Sequence, residues 1–125
     1  MITVKRVYEA PAKSDGFRIL ADRLWPRGLS KDKAKVDLWL KDVAASDDLR
    51  KWFGHNPQKW LEFKDRYFKE LETKGELIVS IAQKSAGGNV TLLYGAKDQK
   101  FNNAVALKEY LDKMNGFAFF GLKNL

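Results

Sequence analysis

The sequence contains no cysteine and a single histidine, His55. The lack of cysteine excludes structural disulfides, thiolate nucleophiles and zinc–thiolate sites. One histidine cannot assemble a metal centre, so the sequence predicts no bound metal and no cofactor. No hydrophobic run approaches the roughly 18 residues that cross a membrane. Residues Met1–Arg6 carry charge where a signal peptide would be apolar. We therefore expect a cytoplasmic protein that does not contact a membrane.

The composition is that of one globular domain spanning residues 1–125. Hydrophobic residues make up 45% and charged residues 31% of the 125, which is enough to bury a core. Lysine and arginine number 23 against 16 acidic residues, giving a net charge of +7. A basic surface attracts phosphates, nucleic acids or acidic partners, but many small soluble proteins without such a role are also basic.

Hydrophobic patterning predicts strands that alternate with helices. Strands are expected at Ile2–Tyr8, Phe17–Asp22 and Val90–Tyr94, and at Val36–Val43, where a short helix is the alternative. Helices are expected after Ser46, from Asn56 with the apolar series Trp60, Phe63, Tyr67 and Leu71, over Glu76–Ala86, and from Asn102 or Asn103 to Gly116. This order predicts a small three-layer α/β domain with a mostly parallel sheet of about four strands.

Charged loops come directly after two of the predicted strands in the sequence. Asp22, Arg23 and Arg27 follow one strand, and Lys97 and Asp98 follow another. The carboxyl ends of parallel strands meet at one edge, where ligands bind in open α/β sheets. Arginine, lysine and a helix start all favour anions. The candidate ligand-binding residues are Asp22, Arg23, Trp25, Arg27, Lys41, His55, Lys97, Asp98, Asn102 and Asn103.

Each of these residues also has a purely structural interpretation. Asp22 would pair with Arg23 or Arg27 on the surface, and Trp25 would belong to the core. His55 would cap or pack instead of acting as an acid, a base or a ligand. No serine-hydrolase elbow, Walker loop, dinucleotide-binding glycine motif or catalytic triad pattern is present. The catalytic residues, if any exist, are therefore unknown from the sequence.

Several stretches together resemble the YeaO-like branch of a bacterial family of unknown function. The most specific is Asp22-Arg23-Leu24-Trp25-Pro26-Arg27-Gly28, and Thr91-Leu92-Leu93-Tyr94 with Ala96-Lys97-Asp98 is another. The resemblance implies a three-layer α/β domain without an established activity. It also implies that loop 9–16 is a shortened crossover between parallel strands, whereas its length alone favours a hairpin. Similar proteins carry histidine where this chain has Asn103, which argues against catalysis here.

Three functions fit the sequence. The first is a basic crevice that binds an anionic ligand, such as a nucleotide or a phosphate ester, with or without catalysis. The second is a nucleic-acid-binding module, although the lysines are scattered and no known motif occurs. The third is an interaction domain that uses the apolar C-terminal tail, residues 117–125, to bind a partner or a second copy. The chain is then expected to be a monomer or a homodimer.

Overall fold

A computed structural model describes residues 1–123 of the chain, with the side chains of residues 1–114. The predicted role of the tail 117–125 as a contact surface lies outside the described side chains. Within the described part, no helix combines the length and the apolar character needed to cross a bilayer.

Four parallel strands form one sheet in the order β1-β4-β2-β3. They are β1 (Ile2–Arg6), β2 (Phe17–Leu20), β3 (Leu38–Trp39) and β4 (Val90–Tyr94). All three pairings, β1 with β4, β4 with β2, and β2 with β3, are parallel. The predicted parallel α/β sheet is confirmed. The hairpin alternative for the first two strands is wrong because β4 lies between them.

Five α-helices accompany the sheet in the described part of the chain. They are α1 (Lys31–Ala34), α2 (Asp47–Phe53), α3 (Trp60–Glu72), α4 (Gly75–Ala86) and α5 (Asn103–Lys123). The helix starts follow the expected capping rules: Ser46 Oγ accepts from the Leu49 amide at 3.2 Å, and Asn102 Oδ1 accepts from the Val105 amide at 2.9 Å. Gly54 ends α2 in the left-handed conformation, with φ of 53°.

The two faces of the sheet are covered unequally. On one face, Ile19 and Leu92 pack into a large core together with α2, α3, α4 and α5. On the other face, Leu20 and Leu93 form a smaller core with Ala34 of α1, and Trp25 packs against it. The alternation along β2 and β4 produces this division, because successive strand residues point to opposite faces.

Two elements differ in extent from the prediction. The strand expected at 36–43 is reduced to Leu38–Trp39 and is followed by a 3-10 turn over Lys41–Val43. The helix expected to end at Gly116 continues to Lys123, because one interior glycine costs only about 1 kcal/mol and does not by itself stop a helix.

An ion network lies at the amino-terminal edge of the sheet. Asp15 accepts hydrogen bonds from the Ala12 amide, Lys5 Nζ and Arg18 Nη1. Arg18 is 4% exposed and also donates to two backbone carbonyls, those of Ala34 and Lys35. Each charged group in this network has several protein partners, as buried charges require.

Candidate functional site

A cavity of about 210 Å³ opens at the carboxyl-terminal edge of the sheet. The segments that follow β2 and β4 form part of its wall. The residues before α2, α2 itself, the turn after α2, α3 and the start of α5 complete it. It is lined by Asp22, Arg23, Leu24, Ala44, Ala45, Arg50, Phe53, His55, Phe63, Ala96, Phe101, Asn102 and Asn103. This is the position at which open parallel sheets bind ligands.

Two arginines bring positive charge to the cavity. Arg23 follows β2 and donates to the carbonyls of Ala45 and Ala44 at 3.3 and 3.4 Å. Arg50 lies on α2, and its side chain is 48% exposed. Both guanidinium groups approach one oxygen of Asp47, at 3.7 Å from Arg23 Nε and 3.3 Å from Arg50 Nη2. The shared carboxylate keeps the two cations close to each other at the mouth of the cavity.

Asp22 supplies a carboxyl group inside the cavity. Its Oδ2 accepts from the Gly95 amide at 2.7 Å, and its backbone carbonyl accepts from Trp39 Nε1 at 2.8 Å. Burial raises the pKa of the Asp22 carboxyl above its ordinary value of 3.8, although the Gly95 amide and the charge of Arg50 oppose this rise. The free energy of folding is therefore less favourable while this group is ionised.

Two asparagines fix the start of α5 against the cavity. Asn103 Oδ1 accepts from the Ala45 amide at 3.0 Å, and its Nδ2 donates to the Ala21 carbonyl at 2.7 Å. Asn102 caps α5, as described above, and donates to the Asp98 carbonyl at 2.9 Å. The first amides of a helix lack intrahelical partners and carry partial positive charge, so this wall of the cavity favours an anion.

The remaining wall is apolar and is formed by aromatic residues. Phe53 and Phe63 are stacked with ring centroids 4.5 Å apart, and Phe101 packs against Trp60 at 5.4 Å. His55 adjoins them, 6.3 Å from Phe53 between centroids, and is itself exposed. Its φ of 57° is left-handed, which is uncommon for a residue other than glycine. The turn formed by Gly54 and His55 thus brings the imidazole to the edge of the cavity.

Half of the residues predicted from the sequence line this cavity. These are Asp22, Arg23, His55, Asn102 and Asn103. The other half are Trp25, Arg27, Lys41, Lys97 and Asp98, which are not among the lining residues. Their binding roles stay predictions.

The residues outside the cavity have structural contacts of their own or are exposed. Trp25 donates to the Leu29 carbonyl at 2.7 Å and packs in the smaller core. Lys41 is exposed, with Nζ 5.1 Å from the Trp39 ring centroid. Asp98 accepts from the amides of Lys100 and Phe101, and these bonds lower its pKa. Arg27 and Lys97 are exposed.

Sequence reasoning missed Arg50 and the phenylalanine wall. Arg50 stands in the helix sequence Leu49-Arg50-Lys51-Trp52-Phe53, where an arginine resembles any solvated helix residue. The available signal was its spacing, because residues three apart share a helix face and Phe53 points into the core. The sequence identifies Phe63 and Phe101 as apolar residues but does not place them at a cavity. Hydrophobic periodicity does not distinguish a residue of the core from one that lines a cavity.

The arrangement supplies two cations, one half-buried carboxyl group, one imidazole and an apolar wall. In the described residues, no three histidine or acidic side chains converge in a way that would hold a metal ion. Because the polar groups surround a concave space, they are suited to orienting a small polar ligand whose apolar part contacts the rings.

These features define a small α/β domain with a basic-rimmed cavity at the carboxyl edge of its parallel sheet. The chain belongs to the inactive DUF488-N3 subclade, whose family model matches residues 1–115. The resemblance to YeaO-like proteins of unknown function is thereby confirmed.

Two relatives illustrate the range of similarity. The uncharacterized protein YeaO of Escherichia coli K12 is 41% identical over 113 residues, which cover 88% of this chain and 96% of YeaO. The uncharacterized protein Rv3073c of Mycobacterium tuberculosis H37Rv is 46% identical over 76 residues, covering 61% of this chain and 64% of the relative. No solved structure matches the chain.

Proposed function

We propose that this protein binds a small anionic ligand of the phosphate-ester or nucleotide type in the cavity at the carboxyl edge of its sheet. The observation that carries the proposal is the pair Arg23 and Arg50 at the mouth of one cavity, beside the start of α5. Guanidinium groups match phosphate and carboxylate oxygens in charge and geometry. The description of the subclade as inactive favours binding without turnover.

The anionic group of a ligand would compete with the Asp47 carboxylate for Arg23 and Arg50. Its side chain is 58% exposed and its contacts with the two arginines are 3.3 and 3.7 Å, so the pairing is weak. A phosphate carries more charge and more acceptor oxygens than a carboxylate. It would therefore draw the guanidinium groups away from Asp47 at little cost.

The test is a thermal-shift and calorimetric panel with inorganic phosphate, ribose 5-phosphate and nucleoside monophosphates. A ligand at 100 times its Kd should stabilise the fold by about 2.7 kcal/mol. Arg50→Ala should abolish most of this shift, and because Arg50 is half exposed, the variant should fold. Arg23→Ala should have a similar effect, whereas Asp47→Asn should tighten binding.

Lys97→Ala and Arg27→Ala are the matched controls. Both remove an exposed cation that the sequence pointed to but that does not line the cavity. They should leave the ligand-induced shift unchanged. The proposal fails if no anion stabilises the protein at up to about 10 mM, a concentration that detects even Kd values near 1 mM. It also fails if the controls weaken binding as much as Arg50→Ala does.

A further inference from the structure

One oxygen of the Asp22 carboxyl group has no hydrogen-bond donor in the described part of the chain. Oδ2 receives the Gly95 amide at 2.7 Å, but Oδ1 receives nothing. No fully buried side-chain oxygen or nitrogen in the described residues lacks a partner. Oδ1 is therefore accessible, and the space that Asp22 lines is the cavity. Polar atoms inside folded proteins normally have hydrogen-bond partners. A carboxylate oxygen that faces a cavity without a donor is therefore suited to accept from an N–H group of a ligand.

The cavity is the right size for a flat ring and too small for a complete nucleotide. A cavity of 150 Å³ holds benzene, and this one has about 210 Å³. Sites for larger ligands occupy roughly 300–1,000 Å³. A bicyclic heteroaromatic ring would fill the space, while a sugar and a phosphate would have to remain at its mouth.

The distribution of polarity in the cavity matches such a ligand. Phe53, Phe63 and Phe101 make part of the wall apolar, and the small residues Ala44 and Ala45 line it as well. The cations stand farther out: the side chains of Arg23 and Arg50 are 27% and 48% exposed. An inner hydrogen-bond acceptor, apolar walls and outer cations correspond to the base, its faces and the phosphate of a nucleotide.

We propose that the cavity binds a purine nucleoside monophosphate of the keto type, guanine or hypoxanthine, with Asp22 Oδ1 accepting from the ring N1–H. This proposal rests on the proposed anion-binding function and names its ligand class. A keto purine presents a donor at N1, whereas adenine presents an acceptor there. A carboxylate oxygen attracts the first and repels the second, and this contrast determines the selectivity.

The experiment compares GMP, IMP and AMP by isothermal titration at about pH 7, where an aspartate is ordinarily ionised. The wild-type protein should bind GMP and IMP at least about tenfold more tightly than AMP, the discrimination expected from one hydrogen bond to a charged group. Ribose 5-phosphate, which lacks the base, should bind more weakly than GMP. Equal affinities for GMP and AMP would overturn the proposal.

Asp22→Asn is the decisive variant. The asparagine oxygen can still accept from the Gly95 amide, so the fold should be retained, but an NH₂ donor now faces the cavity. The preference should vanish or reverse toward AMP. A preference for GMP that survives this change would overturn the assignment of Asp22.

Two further measurements separate the sources of failure. If anion binding itself fails, neither phosphate nor any nucleotide will stabilise the protein, and Arg50→Ala will change nothing. If only the base assignment fails, phosphate will bind and will depend on Arg50, but the three nucleotides will bind alike. A guanine-containing single-stranded oligonucleotide that binds over about 100-fold more tightly than GMP would overturn the free-nucleotide assignment, because it would add backbone contacts.

Discussion

The two edges of the sheet surround an aspartate in opposite ways. At the amino-terminal edge, Asp15 is held by the Ala12 amide, Lys5 and Arg18. At the carboxyl-terminal edge, Asp22 has one protein donor, the Gly95 amide, among the described residues. At the first edge each charged group has protein partners, so the network stabilises the fold. The second leaves an acceptor and two arginines directed at a cavity, which stabilises the fold less and suits binding.

The pKa values of the two acids reflect this difference. Burial raises the pKa of Asp15, but the Ala12 amide and the charges of Lys5 and Arg18 outweigh burial, so the pKa is lowered overall. For Asp22, burial is the largest influence and is not outweighed, so the pKa is raised. The ionised form of Asp15 therefore stabilises the fold, whereas the ionised form of Asp22 destabilises it.

The largest expected effect on the free energy of unfolding comes from disrupting the ion network around Asp15 at the amino-terminal edge. Arg18→Met removes the buried guanidinium that serves Asp15 and the carbonyls of Ala34 and Lys35. The free energy of unfolding should fall by about 3 kcal/mol, the typical loss when one partner of a buried ion pair is removed. Urea denaturation measures this. Arg27→Met, at an exposed position, is the control and should stay within about 0.5 kcal/mol. A loss below about 1 kcal/mol for Arg18→Met would contradict the structural role assigned to this edge.

A smaller effect of opposite sign is expected at the carboxyl-terminal edge. Asp22→Asn removes a half-buried charge but keeps an acceptor for the Gly95 amide. At neutral pH the free energy of unfolding should rise by up to about 1 kcal/mol, the scale of one hydrogen-bonded polar group. Urea denaturation without ligand tests this. A clear destabilisation would mean that the Asp22 carboxylate serves the fold, and the contrast between the edges would disappear.

The smallest effect is the dependence of these differences on pH. Between 3.8 and its raised pKa, folded Asp22 holds a proton that the unfolded chain has lost, so stability from this group falls as pH rises. The advantage of Asp22→Asn should therefore be full above this window and vanish below it. Asp15 has the opposite sign: its contribution is present above 3.8 and is lost as pH falls through its lowered pKa.

Melting temperatures of the wild type, Asp22→Asn and Asp15→Asn over a pH series test both signs. The stability deficit of Asp15→Asn should be largest near neutral pH and shrink in acid. Parallel curves for all three proteins would contradict the assignment of the shifts to these carboxyl groups.

Much of the fold was predictable because local signals and burial agreed. The buried strand Val90–Tyr94, the helix with the series Trp60, Phe63, Tyr67 and Leu71, and the helix after Ser46 all formed as expected. The strand expected over 36–43 did not, because alternation there reflects a turn and only a two-residue pairing with β2. Local patterns specify conformation well, but the length of an edge strand is set by its neighbour.

The candidate site was predictable in position and only partly in composition. Arg23 was identified because it directly follows a central strand. Lys97 fits the same rule, yet the structure turns Ala96 to the cavity and leaves Lys97 exposed. Arg50 came from a helix whose orientation depends on tertiary packing. One or two backbone dihedral angles determine which side chain of a loop faces inward. No periodic pattern in the sequence indicates these angles.

The contacts of the Asn103 side chain determine when the cavity can form during synthesis. Its amide group joins the Ala45 backbone, 58 residues earlier, to the Ala21 backbone, 82 residues earlier. The early segments therefore leave the ribosome long before the residue that connects them. A nascent chain that ends ahead of α5 would hold all four strands but would lack the Asn103 contacts that complete the cavity wall, so closure of the cavity would report that α5 has docked.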